Sequence, residues 1–105
     1  MTDEYWNNLA VVRNKLNRRE LLEQLAEEAT ELAQASLKAI RAEGLSNNPT
    51  PISAVEATRE LLGEIADISN CLTALSLNAQ QVAIDIIAEQ KMQRWVDRVL
   101  EVKKE

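Results

Sequence analysis

The sequence predicts an all-α protein, and its composition and its apolar patterning lead to this class. Of its 105 residues only two are Gly and two are Pro, and both Pro lie within residues 45–51. Elsewhere helix-forming residues dominate, and apolar residues recur at helical spacing rather than alternating as they do in a strand. There is no strand pattern and no internal repeat. We therefore expect helices joined by short turns and by one irregular connection at residues 45–51.

Capping signals mark where the helices begin. Three residues that favour the N-cap are each followed three positions later by Glu or Gln, namely Asn17–Glu20, Ser53–Glu56 and Asn78–Gln81. This spacing allows the reciprocal hydrogen bonds of a capping box. We predict helices over about residues 18–43, 54–76 and 79–102, with Gly44 ending the first of these. A less strongly marked helix precedes them near residues 3–16.

The length of 105 residues fits a single domain covering residues 1–105. Aromatic residues make up only 3% of the chain and Phe is absent, so Leu, Ile, Val and Ala must fill the core. Because Ala buries little area, we expect a second copy of the chain to cover part of the apolar surface. The composition therefore favours an oligomer, at least a homodimer.

Charge and cysteine content restrict the classes of partner. The net charge of −5 and a pI near 4.8 argue against a nucleic-acid-binding protein, which usually carries a basic surface. No apolar run approaches the roughly 18 residues of a membrane span, and no signal peptide is apparent. Cys71 is the only cysteine, so an intrachain disulfide is impossible. We expect a cytoplasmic protein that binds neither nucleic acid nor membrane.

Two acidic pairs, Glu28–Glu31 and Glu64–Asp67, are the most informative pattern in the chain. Residues three apart share a helix face, with Cβ atoms about 5–6 Å apart. If the two helices pack face to face, four carboxylates meet, and like charges about 4 Å apart repel by about 4 kcal/mol at an effective dielectric near 20. A hard divalent cation removes this repulsion. The pairs therefore predict a site for Mg²⁺, with Mn²⁺ as the alternative ion.

Helical projection places both pairs at the border of apolar stripes. The stripe of the second helix comprises Leu21, Leu22, Leu25, Ala29, Leu32, Ala33, Ser36 and Ile40, and that of the third comprises Leu61, Ile65, Ile68, Leu72 and Leu75. Glu28 and Glu64 lie beside these stripes, and Glu31 and Asp67 lie about 60° further round. A partner helix can reach acids at such border positions, which favours a site over a purely solvated acidic face.

The acidic segments resemble a known family signature. Residues 27–31 read E-E-A-T-E and residues 64–67 read E-I-A-D. They resemble the E-E-x-x-E … E-x-x-D motif of the MazG-like nucleoside triphosphate pyrophosphohydrolases, an all-α family that includes dimeric dUTPases. Residues 89–98 resemble the basic K-x-x-R segment that follows in many members. The 32 residues between Glu31 and Glu64 exceed the spacing of compact members.

The resemblance implies a four-helix MazG-like bundle that works as a homodimer or homotetramer. It implies cleavage of (d)NTPs between the α- and β-phosphates, which gives a nucleoside monophosphate and pyrophosphate. In this reaction Glu28, Glu31, Glu64 and Asp67 hold Mg²⁺, and Glu27 is the candidate acceptor for the proton of the attacking water.

The basic segment adds candidate substrate contacts. Lys91, Arg94 and Arg98 recur at three- and four-residue spacing, so they share one face of the fourth helix. They are candidates to bind the phosphates, and Lys91 and Arg94 also to stabilise the leaving pyrophosphate. Trp95 is a candidate to stack on the base, as are Tyr5 and Trp6. Asn70, one turn past Asp67, is a candidate contact to the sugar or base.

Two other classes compete with the enzyme. In a non-enzymatic helical assembly or adaptor module, the same acids only solvate a helix face. A di-iron carboxylate bundle usually uses Glu-x-x-His pairs, and this chain has no His. The lack of His also removes Ser–His and Cys–His nucleophile systems, and no Gly-rich phosphate loop is present. Enzymatic chemistry would then rest on carboxylates, Lys, Arg and a metal.

Overall fold

The computed structural model describes residues 1–104, with side chains as far as Glu101, and every regular element in this part is helical. The helices are α1 (Asp3–Lys15), α2 (Arg18–Ala42), α3 (Ala54–Ala74) and α4 (Gln81–Lys104), with a 3₁₀ turn over Leu77–Gln80 before α4. The predicted all-α class is therefore confirmed for the described residues.

Side-chain caps begin the first three helices. At α2, Asn17 Oδ1 accepts the Glu20 N–H at 2.8 Å and Glu20 Oε1 accepts the Asn17 N–H at 3.0 Å. This reciprocal pair is the predicted capping box. Thr2 caps α1, and Ser53 caps α3 by accepting the Glu56 N–H at 3.1 Å. The caps fix the N-termini of α2 and α3 at the predicted residues.

Left-handed residues end α2 and α3. Gly44 has φ of 75° just after α2, which is the conformation that favours glycine at a helix C-terminus. Ser76 has φ of 59°, so α3 ends at Ala74 rather than at Ser76 as predicted. The predicted N-cap at Asn78 is wrong, because Asn78 lies inside the 3₁₀ turn. Helix α4 begins at Gln81, two residues later than predicted.

The chain divides into two compact units, Met1–Leu75 and a second that begins at Ser76. The first contains α1, α2 and α3. The second contains the 3₁₀ turn and α4, and no α4 residue with a described side chain is buried. Among the described helices, no single one is long and apolar enough to cross a membrane. Helices α3 and α4 reach the required length and apolar composition only when they are counted together.

In the first unit, α2 and α3 pack against each other in opposite directions. Lys38 pairs with Glu60 at 3.1 Å, whereas Glu28, ten residues earlier in α2, meets Glu64 and Asp67, which come later in α3. The buried residues of the two helices are mostly small, and they are Leu21, Ala35, Ala57, Cys71 and Ala74. Small side chains let the two backbones approach closely, and this positions the acidic pairs.

The predicted apolar stripes are rotated relative to the observed contact. Ala35 lies outside the predicted α2 stripe, yet it is buried, while Leu22 and Ile40 of that stripe are exposed. On α3, Ile65 is exposed although it was placed in the stripe, while Glu64 is half-buried. The contact between the helices therefore uses one edge of each stripe together with the acids, and it leaves the other edge uncovered.

Two polar attachments hold α1 on α3. Near its start, Tyr5 Oη donates to Asn70 Oδ1 at 2.7 Å, and the Tyr5 ring meets the edge of Trp6 with ring centres 5.2 Å apart. Near its end, Arg13 donates to the backbone carbonyls of Thr73 and, at 3.2 Å, of Ala74. These carbonyls end α3, where a cation is favoured. Leu9 is the buried apolar residue of α1.

We expect Asn17→Ala to lower the free energy of unfolding by about 1 kcal/mol, because it removes the capping box of α2. Urea unfolding followed by circular dichroism measures this change. Asn47→Ala is the matched control, since Asn47 is exposed in the connection between α2 and α3. An equal change in both variants would show that the cap does not stabilise the fold.

Candidate metal centre and flanking cavities

Three of the four predicted metal ligands converge in the first unit. Glu28, Glu64 and Asp67, called here the acidic triad, each offer one carboxylate oxygen, and these three oxygens lie within 4.8 Å of one another. Glu28 and Glu64 are half-buried between α2 and α3, and Asp67 is exposed. Glu28 is 36 positions from Glu64 and 39 positions from Asp67 in the chain, so only the packing of α2 against α3 brings it to them.

The triad holds oxygens that have no donor. Gln24 Nε2 donates to Glu28 Oε1 at 2.8 Å, which orients the Glu28 carboxylate. Glu28 Oε2 and Glu64 Oε2 are shielded from solvent, and no hydrogen-bond donor from the described residues reaches either atom. A buried acceptor without a partner costs free energy. Two such oxygens beside an exposed carboxylate form a set that a hard cation satisfies.

Electrostatics in the cluster favour protonation when no cation is bound. Burial raises the pKa of Glu64 above its ordinary value, and the negative charges of Asp67 and Glu28 raise it further. When Glu31 carries a proton it can donate to the Glu28 carboxylate, and this hydrogen bond together with the negative charge of Glu28 raises the pKa of Glu31. These shifts have the direction expected of carboxylates that repel one another. A divalent cation would reverse them.

Glu31 and Glu27 lie beside the triad rather than in it. Glu31 interacts with Glu28 and Glu64 closely enough to change its own pKa, but its carboxylate is not one of the three converging oxygens. Glu27 is exposed, and its charge also raises the pKa of Glu31. Cys71 is buried next to the triad, where burial and the charges of Glu28 and Asp67 raise the pKa of its thiol. The thiol is therefore a poor nucleophile.

The predicted basic residues lie in the other unit. Lys91, Arg94, Trp95 and Arg98 are all on α4 and exposed. Arg94 and Arg98 line one shallow groove with Asp97, and Trp95 belongs to an apolar patch with Met92, Val96, Val99 and Leu100. The triad is built without them, from the first unit alone.

A different pair of cations lies next to the acids. Lys38 and Arg41 of α2 line a groove of about 680 Å³ together with four acids, Glu31, Glu60, Glu64 and Asp67. We call it the cationic groove. Sequence reasoning missed these two residues because it sought cations in the segment that resembled a family motif. The signal was present, since Lys38 follows Glu31 by seven residues, about two helical turns, and Arg41 follows Lys38 by three.

A second cavity, of about 400 Å³, opens on the opposite side of the triad. It lies between α1, α2 and α3, and we call it the α1-side cavity. Its apolar wall includes Leu9, Leu21 and Cys71, and its polar groups include Tyr5, Asn8, Gln24 and Asn70. Glu28 and Asp67 form its border with the triad. The cavity has the size and mixed lining of small-molecule sites. Asn70, a predicted substrate contact, thus lines a cavity beside the triad.

We expect Mg²⁺ to stabilise the fold through the triad. In chelator, the raised pKa of Glu64 means that the folded protein binds the proton of this carboxyl group more tightly than the unfolded chain does. The stabilisation is therefore present below the ordinary value of 4.5 and is lost as pH rises through the folded-state pKa. As pH rises through this range in chelator, the melting temperature of the wild type should fall more steeply than that of Glu64→Gln.

At neutral pH, saturating Mg²⁺ should raise the wild-type melting temperature by about 5 °C or more. The rise should be much smaller in Glu64→Gln. Glu23→Gln is the matched control, because Glu23 is an exposed acid of α2 paired with Arg19 at 3.0 Å. Equal shifts in the wild type, Glu64→Gln and Glu23→Gln would mean that the ion does not bind at the triad.

Comparison of the chain with protein-family models, curated proteins and solved structures found no significant match. The MazG-like resemblance of the acidic segments therefore stays a prediction.

Proposed function

We propose that this protein is a Mg²⁺-dependent nucleoside triphosphate pyrophosphohydrolase of MazG-like architecture, which cleaves (d)NTPs into a nucleoside monophosphate and pyrophosphate. The observation that supports this proposal best is the acidic triad, with three oxygens within 4.8 Å of one another. Two shielded oxygens without donors, on Glu28 and Glu64, add to it. The resemblance of the acidic segments supplies the reaction class.

Glu28, Glu64 and Asp67 would hold Mg²⁺, and Glu31 would join them once a cation offsets the repulsion between these carboxylates. Bound Mg²⁺ supplies a Lewis acid for phosphate oxygens and lowers the pKa of a bound water. Gln24 fixes the Glu28 carboxylate through its 2.8 Å hydrogen bond. Mn²⁺ has the same preference for oxygen ligands and is the alternative ion.

The reaction balances with water as the second substrate. The water oxygen forms a bond to the α-phosphorus, and the bond from this phosphorus to the bridging oxygen breaks. Pyrophosphate leaves with the electron pair, and a carboxylate accepts the proton of the water. We assign this proton to Glu27, which is exposed next to the cluster.

The charge of the chain fits a nucleotide held through metal. The net charge of −5 repels a free polyphosphate, so the cation has to carry the attraction at the acids. Arg94, Arg98 and Lys91, which stabilise the pyrophosphate in the family reaction, and Trp95, which stacks on the base, remain proposals that rest on the resemblance. The proposed role is removal of nucleotides from the cellular pool in the cytoplasm, without a nucleic-acid or membrane partner.

We also propose a homodimer or homotetramer. Leu22 and Ile40 of α2 and Leu62 and Ile65 of α3 are each between 41% and 59% exposed. Helical projection at about 100° per residue directs all four to the same side of the antiparallel pair. Large contiguous apolar surfaces usually mark an interface. A second copy with the same surface would complete a four-helix bundle from two α2–α3 pairs.

The exposed apolar surface also supports the competing class, a helical assembly module without enzymatic activity. In that case the triad only adds charge to the surface. Mg²⁺-dependent turnover distinguishes the two classes, because an assembly module needs its apolar surface but not its acids.

The decisive experiment measures pyrophosphate release from a panel of NTPs and dNTPs, with Mg²⁺ and with chelator. We expect release only with Mg²⁺, together with the corresponding monophosphate. Asp67→Asn and Glu31→Gln should abolish turnover, because each removes a negative charge at the site of the cation, and helicity should be kept. Glu23→Gln should retain full activity. Folded wild-type protein that releases pyrophosphate from no nucleotide would favour the assembly module.

We expect Ile65→Lys to dissociate the oligomer into monomers, because it places a charge in the apolar surface of α2 and α3. Size-exclusion chromatography with light scattering gives the mass. Val11→Lys is the matched control, since Val11 is also exposed but lies on α1. A wild-type protein that is monomeric at all concentrations would contradict the proposed assembly.

A further inference from the structure

The acidic triad lies between two sites of opposite chemical character. The α1-side cavity borders Glu28 and Asp67, and the cationic groove borders Glu64 and Asp67. Asp67 therefore lines both. A substrate whose two ends differ in chemistry can span the triad in only one favourable direction.

The α1-side cavity suits a neutral heterocycle. Its polar groups are amides, a phenol and, at the border with the triad, the carboxylates of Glu28 and Asp67, and none of its lining residues is a cation. Tyr5 Oη donates to Asn70 Oδ1 at 2.7 Å, which fixes the Asn70 side chain and leaves its NH₂ group to donate to a ligand. Amide groups beside an apolar wall recognise the hydrogen-bonding edge of a base. A polyphosphate there would meet the carboxylate of Glu28 with no positive charge to offset it.

The cationic groove has two cations and four carboxylates in its lining, and it suits phosphates once a divalent cation offsets the acids of the triad. Arg41 offers the planar donor set that matches phosphate oxygens, and Lys38 offers a compact positive charge. Lys38 contacts Glu60 at 3.1 Å, and both side chains are more than a third exposed. A pair this exposed is weak, and an ammonium group has three donors, so Lys38 keeps donors for a ligand. Both cations belong to the same unit as the triad.

We propose that these two sites set the direction in which the nucleotide binds. The base and sugar occupy the α1-side cavity, the α-phosphate lies at the triad, and the β- and γ-phosphates lie in the cationic groove against Lys38 and Arg41. This inference rests on the proposed function and deepens it. Lys38 and Arg41 then take over from Lys91, Arg94 and Arg98 the role of holding the leaving pyrophosphate, and Asn70 becomes a contact to the base.

The test uses the two halves of the reaction as separate ligands. Calorimetry with Mg²⁺ measures the affinity of inorganic pyrophosphate and of a panel of nucleoside monophosphates. Lys38→Gln with Arg41→Gln should weaken pyrophosphate binding about tenfold or more, and leave the best monophosphate within about threefold. Asn70→Ala should show the reverse pattern. Arg19→Gln, which changes an exposed cation of α2, is the matched control and should change neither affinity.

Each variant carries its own test of folding, because it should still bind the other half with wild-type affinity. The direction is overturned if pyrophosphate affinity is unchanged in the Lys38/Arg41 variant, or if Asn70→Ala weakens pyrophosphate rather than the monophosphate. If wild-type protein binds neither ligand with Mg²⁺, the proposed function itself fails. If both ligands bind and the variants affect them equally, the enzyme proposal survives and the direction does not.

Discussion

The close approach of α2 and α3 is the constraint on which the rest of the structure depends. Ala35, Ala57 and Cys71 bury so little volume that the two backbones come together, and the half-buried Glu28 and Glu64 then meet in the same layer. Larger side chains at these positions would separate the helices and disperse the carboxylates. The small residues and the acids therefore act together, because the packing that stabilises the pair also concentrates negative charge.

In the first unit, apolar packing between α2 and α3 therefore opposes the electrostatic repulsion between their carboxylates. Burial of Glu64, the hydrogen bond between Glu31 and Glu28, and this repulsion raise the pKa values of Glu64 and Glu31. Protonation, separation of the helices or a bound cation can relieve the repulsion. A bound cation does so without separating the helices. The cation that the proposed reaction needs would therefore also stabilise the fold, because it offsets the repulsion between the carboxylates.

Local signals predicted the helices well, and long-range packing was harder to foresee. Asn17 and Ser53 cap their helices as their spacing predicts, because these bonds form within one turn. The left-handed turn at Ser76 was missed, since serine carries no strong signal for a positive φ. The spacing of the acidic pairs predicted that four carboxylates meet, and three of them converge while Glu31 lies beside the cluster. The rotation of the stripes was not foreseen, because an apolar arc wider than one contact does not reveal which edge the neighbouring helix covers, as Ile65 demonstrates.

The attachment of α1 has a dynamic consequence for the cavity beneath it. This helix is fixed near one end by the Tyr5–Asn70 hydrogen bond and near the other by Arg13 on the last carbonyls of α3, with Leu9 as its buried apolar contact. Elements with few buried apolar contacts open at a lower free energy than the global fold. Backbone amides of α1 should therefore exchange with solvent deuterium sooner than those of α2 and α3. Such local opening would let a ligand enter and leave the cavity while the acidic helices stay paired.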